Sequence, residues 1–202
     1  MAIVNQATKE VQVKIVYYGT PLAGKTTNLV QLHNYAKTTH CNSGSLVSLA
    51  STSDRTLFFD FLPQEGPTIK GFKVKYQIYT VPGLVRYNTT RQLVLRGVDG
   101  IVFVADSQQG EMEHNVESFD NLVANLRSLK KDLADIPYVL QYNKSDLPEV
   151  TPVDYMEFKL NIHGLQPSFT AIASKGEGVI QTFDKLTSMV VRKLEASDFE
   201  LF

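Results

Sequence analysis

Eight consecutive residues, Gly19-Thr20-Pro21-Leu22-Ala23-Gly24-Lys25-Thr26, carry the spacing G-x-x-x-x-G-K-[ST]. That spacing suits a phosphate cradle. Gly19 and Gly24 let the chain curl until successive N–H groups point inward at an anion. Lys25 is long enough to reach a β- or γ-phosphate, and the Thr26 hydroxyl suits Mg²⁺. Thr27 follows into a helix whose positive end faces the same phosphates. A chance Gly-turn-Lys loop would need neither a β-rich run before it nor a helix after it. Here Val11, Val13, Ile15 and Tyr17 alternate ahead of the loop, and Leu29, Leu32 and Tyr35/Ala36 share a helical face behind it.

A phosphate cradle does not choose a base. Asn143-Lys144-Ser145-Asp146 follows an apolar run at 137–142, where an α/β sheet presents its ligand contacts. A carboxylate at Asp146 can accept two hydrogen bonds, from the ring N–H and the exocyclic amine of guanine. Adenine has no such donor pair and would leave the charge unpaired. Lys144 would lie across the base, and Asn143 would tie its loop to the cradle. The plain alternative for four polar residues is a surface turn; the cradle upstream favours guanine over it.

These side chains need a scaffold of alternating strands and helices. Strands are expected at 11–17, 46–49, 57–62, 72–81, 100–106, 137–142 and 169–172. The runs 100–106 and 137–142 are continuously apolar, as in parallel strands covered on both faces. Helices are expected after the cradle, at 87–96, along Met112, Val116, Phe119, Val123, Leu126 and Leu133, at 153–160, and along Val179, Phe183, Leu186, Val190 and Leu194. Residues 1–10 read as a polar lead-in and 37–45 as a loop. Pro63, Gly66 and Pro67 place a turn at 63–70 between two hairpin strands. The pattern is that of an α/β fold: three layers, a mainly parallel sheet with helices on both faces, in one domain over residues 1–202.

Composition narrows the function. With 43% hydrophobic and 20% charged residues the chain belongs with soluble globular proteins, and a net charge of −1 argues against a nucleic-acid binder. Cys41 is the sole cysteine, which excludes an intrachain disulfide and fits a reducing cytoplasm. No apolar leader or span of transmembrane length is apparent. Ala2 and the terminal Asp198-Phe199-Glu200-Leu201-Phe202 carry no lipidation motif, so no direct lipid anchor is expected. The histidines at 33, 40, 114 and 163 have no ligand spacing, which leaves a metal hydrolase without support.

The cradle and the Asn-Lys-x-Asp segment, in this order, resemble the Ras-like small GTPases. The likeness extends over essentially the whole chain and is closer still to the bacterial MglA family. Its carriers are Ile15-Val16-Tyr17-Tyr18-Gly19, Arg55-Thr56-Leu57-Phe58-Phe59-Asp60-Phe61-Leu62-Pro63, Tyr79-Thr80-Val81-Pro82-Gly83, Arg91, the run from Leu95 to Ser107, and Gln141-Tyr142-Asn143-Lys144. The resemblance implies a Ras-like P-loop GTPase domain that binds GTP or GDP with Mg²⁺ held by Thr26 and Thr56. It implies that Arg55 neutralises the transferring phosphoryl group from within the chain, a solvated loop arginine being the alternative. Gly83 would contact the γ-phosphate, and the backbone at Ala173 and Ser174 would read the guanine oxygen. Expected partners are an MglB-like roadblock-domain activator and polarity or motility effectors. The chain is expected to be a cytoplasmic monomer that partners recruit to a cell pole.

Three positions depart from the Ras-like pattern. Thr80 stands where most such proteins carry the Asp of D-x-x-G, a change the MglA family shares. It makes Mg²⁺ more dependent on Thr26, Thr56, phosphates and water. Leu84 replaces the water-orienting Gln and has neither donor nor acceptor. Slow hydrolysis is expected, or else a scaffold that keeps its GTP. Pro21 replaces a loop glycine, which removes one N–H from the nest and fixes φ there.

Overall fold

In a computed structural model of the chain, residues 2–39, 44–50, 56–84, 87–162 and 165–196 are described. The chain opens on a strand where the sequence suggests a polar lead-in. Ile3–Asn5 (β1) pairs antiparallel with Glu10–Gly19 (β2). The Asn5 side chain makes this hairpin by accepting from the backbone N–H of Ala7 at 3.0 Å and Thr8 at 3.2 Å, and Val4 packs on the core.

β2 sits in mid-sheet, so its alternation seeds both cores. Val13, Ile15 and Tyr17 face one side and Val16 and Tyr18 the other, all fully buried. After α1 (Lys25–Thr38) come β3 (Val47–Ala50), β4 (Thr56–Ile69), β5 (Phe72–Thr80) and α2 (Asn88–Leu95). They are followed by β6 (Gly100–Asp106), α3 (Met112–Ser128), β7 (Tyr138–Asn143), α4 (Val153–Leu160), β8 (Ser168–Ala171) and α5 (Val179–Ala196). The sheet order is β3-β4-β5-β2-β6-β7-β8, with β1 on β2. β5, β2, β6, β7 and β8 run parallel, while β4 is antiparallel to both its neighbours. Leu29 and Leu32 of α1 and Phe183 and Leu186 of α5 fill one face. Leu95 of α2, Leu122 and Leu126 of α3 and Met156 of α4 fill the other. Gly19, Thr80, Asp106, Asn143 and Ala171 end their strands on one edge, and the loops that leave them carry the site.

The expected turn at 63–70 is instead strand. β4 continues through Pro63, Gly66 and Pro67, with one extra residue bulged out between Glu65 and Thr68 opposite Lys75 and Lys73. Both prolines lie beyond Phe61, the last β4 residue paired with β3, so no outer ladder needs their missing N–H. Gly66 stays small because a Cβ there would lie 2.5 Å from the Tyr76 ring. The turn itself is Lys70-Gly71, both at positive φ.

Other differences are smaller. α1 reaches Thr38, into the expected loop, and exposes Tyr35 while burying Ala36. Leu133 lies past α3 in a short 3-10 turn. The buried face of α3 is Met112, Asn115, Ser118, Leu122, Asn125 and Leu126, half of it polar. Asn115 belongs there because it exchanges two hydrogen bonds with the Asp106 backbone, at 2.9 and 2.8 Å. A second buried polar group joins α1, β7 and α5. Asn28 and Gln141 exchange amide bonds of 2.8 and 3.0 Å, and Gln141 also donates to Thr182 Oγ1 at 3.1 Å.

Candidate functional site

The phosphate loop is shaped by two close approaches. A Cβ at Gly19 would lie 2.0 Å from the Val104 carbonyl oxygen, and one at Gly24 would lie 2.2 Å from Asn143 Nδ2. Gly24 also has φ of 100°, a conformation that favours glycine. Between them Thr20 and Ala23 are buried, while Leu22 is exposed at a φ of 58°. Lys25 opens α1 with its ammonium inside the loop. Nζ donates to the carbonyls of Gly19 at 3.1 Å and Thr20 at 2.5 Å. Burial brings its pKa down to about 7, the Arg91 charge pushes the same way, and Asp60 opposes both.

Asp60 is the functional candidate that reading the chain missed. It lies on β4, fully buried, and its Oδ2 accepts from the hydroxyls of Thr26 at 2.5 Å and Thr80 at 2.8 Å. Its own N–H donates to Thr80 Oγ1 at 2.8 Å. Thr80 therefore does not stand in an acid-free site: a carboxylate reaches Thr26 from the adjacent strand. The signal in the sequence was a lone Asp inside Leu57-Phe58-Phe59-Asp60-Phe61-Leu62, a buried charge that requires a partner. The donors here are hard oxygens, which suit Mg²⁺. Among the described residues no three His, Cys, Asp or Glu side chains converge.

Gly83 packs directly on the phosphate loop, where a Cβ would lie 2.3 Å from Pro21 Cα. Leu84 follows, half-buried. Together Thr20, Pro21, Leu22, Gly83, Leu84 and Lys144 help line a cleft of about 480 Å³ against the first turns of α3. Two hydroxyls on this cleft, Thr20 Oγ1 and Ser118 Oγ, are buried and unpaired.

Asn143 bridges the two halves of the site. Its Nδ2 donates to the Ala23 carbonyl at 2.7 Å, and its Oδ1 accepts from the Ala173 N–H at 2.8 Å. Lys144, at a φ of 66°, donates to buried Asp106. Asp146 pairs with the exposed Lys175 at 3.1 Å. Ser174 offers its carbonyl to Gln31 at 3.3 Å. Thr27 lies in the first turn of α1, and Thr56 opens β4. Arg55 and Cys41 lie outside the described residues.

Comparison with known proteins identifies the family. The profile of the ADP-ribosylation factor family matches residues 1–190. Mutual gliding-motility protein MglA of Myxococcus xanthus is 48% identical over 195 residues, covering 96% of this chain and 98% of that protein. The chain belongs to the MglA family of Ras-like small GTPases. More distant members of the superfamily also align. Ras-related protein Rab-4 of Dictyostelium discoideum is 29% identical over 75% of this chain and 71% of its own length. Human ADP-ribosylation factor-like protein 4C is 31% identical over 48% of this chain and 52% of its own length. As a small GTPase of this family, the chain binds guanine nucleotide. Among the described residues no helix is long and apolar enough to cross a membrane.

Proposed function

We propose that this GTPase is a molecular switch that hydrolyses GTP to GDP slowly and recruits polarity or motility effectors while GTP is bound. Asn143 carries the reading, because one amide joins the phosphate loop to the Ala173 loop and makes cradle and base reader a single unit. Lys25 turns from the carbonyls of Gly19 and Thr20 to the β- and γ-phosphates, and the amides from Thr20 to Thr27, Pro21 excepted, line the cradle. Asp146 takes the guanine edge in place of Lys175, a partner too exposed to hold it strongly. Lys144 covers the base, and the backbone at Ala173 and Ser174 faces the guanine oxygen.

Thr26 and Thr56 would hold Mg²⁺, with Asp60, which accepts from the Thr26 hydroxyl, orienting it. When bound, the ion neutralises charge on the β- and γ-phosphates. Thr56 and the Gly83 N–H sense the γ-phosphate, and Arg55 stabilises the transferring phosphoryl group. Leu84 leaves the attacking water without its usual side chain, a loss worth about 2.7–4 kcal/mol of barrier. The name of the Myxococcus relative supports gliding motility as the output. The remaining elements of the reading are one G domain over 1–202, a monomer in the cytoplasm, an MglB-like roadblock-domain activator, and recruitment to a pole by partners.

Single-turnover GTP hydrolysis with Mg²⁺, with and without an MglB-like activator, tests this. Slow turnover that the activator raises supports the switch, and Leu84→Gln should speed the intrinsic step by roughly 100-fold. GTP retained unhydrolysed in every condition would make the chain a permanently loaded scaffold instead. Equal competition by ATP would overturn the guanine assignment.

A further inference from the structure

A fully buried guanidinium stands just behind the phosphate loop. Arg91 on α2 is 0% exposed. Its Nε donates to the Pro82 carbonyl at 2.9 Å, and its Nη2 donates to the Gly83 carbonyl. Its Nη1 donates to Asn121 Oδ1 at 2.6 Å and to the Tyr18 hydroxyl at 3.3 Å, with the Tyr18 ring 4.9 Å away from the guanidinium carbon. Every one of these partners is neutral, and among the described residues no carboxylate pairs with Arg91. A buried cation without a counter-ion is costly, so a structural role alone would be served more cheaply by an apolar side chain. The surroundings are nevertheless built to hold it. Tyr18 donates to Asn121 at 2.6 Å, Asn125 donates to Tyr18 at 3.0 Å, and Asn121 and Asn125 both donate to Asn88 Oδ1.

The geometry of the trans peptide says what the cation does. In each peptide plane the C=O and the N–H point in opposite directions. Drawing the Pro82 carbonyl towards Arg91 therefore sends the Gly83 N–H to the other side. Gly83 is confined from the P-loop side as well, since Pro21 and Thr20 leave no room for a Cβ. The planar fork of Arg91 holds two successive carbonyls at once, which a point-like ammonium does less well.

We propose that Arg91 is a positioning residue: by gripping the Pro82 and Gly83 carbonyls it aims the Gly83 N–H at the γ-phosphate, and so sets the preference for nucleoside triphosphate over diphosphate. This rests on the reading above that Gly83 meets the γ-phosphate. The charge of Arg91, which has no carboxylate to answer it, acts in the same direction, because a γ-phosphate supplies the missing anion.

The test is the dissociation rate of two fluorescent nucleotides, GDP and a non-hydrolysable GTP analogue, from the full chain. Arg91→Met should release the GTP analogue about tenfold faster while GDP release changes less than about twofold. Arg91→Lys should restore part of the difference. Equal acceleration of both nucleotides would reduce Arg91 to a structural role and overturn the inference, as would no change in either. If Arg91→Met does not fold, Asn121→Ala must shift the triphosphate-to-diphosphate ratio the same way, by about twofold, or the inference fails. A wild-type protein that holds neither nucleotide would overturn this inference and the nucleotide reading together, and that result appears before any variant is made.

Discussion

The two ends of the site are stabilised by opposite means. At the base end, Asn143 makes neutral, buried hydrogen bonds to Ala23 and Ala173, the buried Asp106 is paired with Lys144, and the Asp146–Lys175 pair reaches solvent. At the phosphate end Lys25 and Arg91 are buried, and so is Asp60, whose carboxylate accepts from two hydroxyls. The base end is thus complete within the protein itself. The phosphate end holds basic groups with no anion to answer them, Arg91 as a buried cation and Lys25 with its pKa brought down to about 7 by burial, and a polyphosphate would supply that anion. Substitutions at the base end should therefore cost fold and ligand together, and substitutions at the phosphate end should cost the ligand more than the fold.

Lys25→Met should show the largest effect. Losing two charge-assisted bonds to phosphate, at about 1.5–3 kcal/mol each, predicts an affinity loss on the order of 10³-fold by calorimetry. The nucleotide-free protein should become more stable, with a melting temperature higher by about 4 °C or more. The pH dependence sharpens this. Between about 7 and the ordinary lysine value, the unfolded chain holds a proton on Lys25 that the folded chain does not. Stability of the nucleotide-free wild type should rise with pH across that window, and Lys25→Met should flatten the rise.

Asn143→Ala comes next. It strands the Ala23 carbonyl and the Ala173 N–H, at about 1–3 kcal/mol each, and should lower melting temperature and nucleotide affinity in step. A large affinity loss at unchanged melting temperature would break the contrast between the two ends. Asp60→Asn should weaken Mg²⁺ by about 10- to 100-fold in a metal titration, while nucleotide binding in a chelator changes little. Lys175→Ala should be smallest. Its pair with Asp146 is exposed, so stability should change by less than about 1 kcal/mol and GTP affinity by no more than a few-fold.

What could be read in the sequence follows the same division. The phosphate loop and residues 143–146 are each local in sequence, so spacing points to them once the flanking strand and helix, and for 143–146 the cradle upstream, are taken with it. Asp60 and Arg91 act through pairings that spacing does not encode. Asp60 matters because the antiparallel register of β4 on β5 sets it beside Thr80, and Arg91 because α2 buries it against Tyr18. The sheet was legible wherever strands were continuously apolar, as at β6 and β7. It was misread where chain punctuation had a tertiary answer: Gly66 and Pro67 in a bulge, and Asn5 closing a hairpin. In α3 an apolar stripe was expected, but Asn115 is held inside by the Asp106 backbone. α1 was legible by its leucines, although Asn28 is buried on the same helix.

That asparagine has a consequence for the chemistry. An α-helix turns about 100° and advances about 1.5 Å with each residue. Asn28 and Gln141 exchange paired amide bonds that fit one setting of the helix, so they fix its azimuth as a key fixes a shaft. Lys25 and Thr26 ride on the same shaft, less than one turn away. A leucine pair could fill the same volume and leave the helix free to creep by a fraction of a turn. The protein would still fold, with its ammonium and its hydroxyl pointing past their targets.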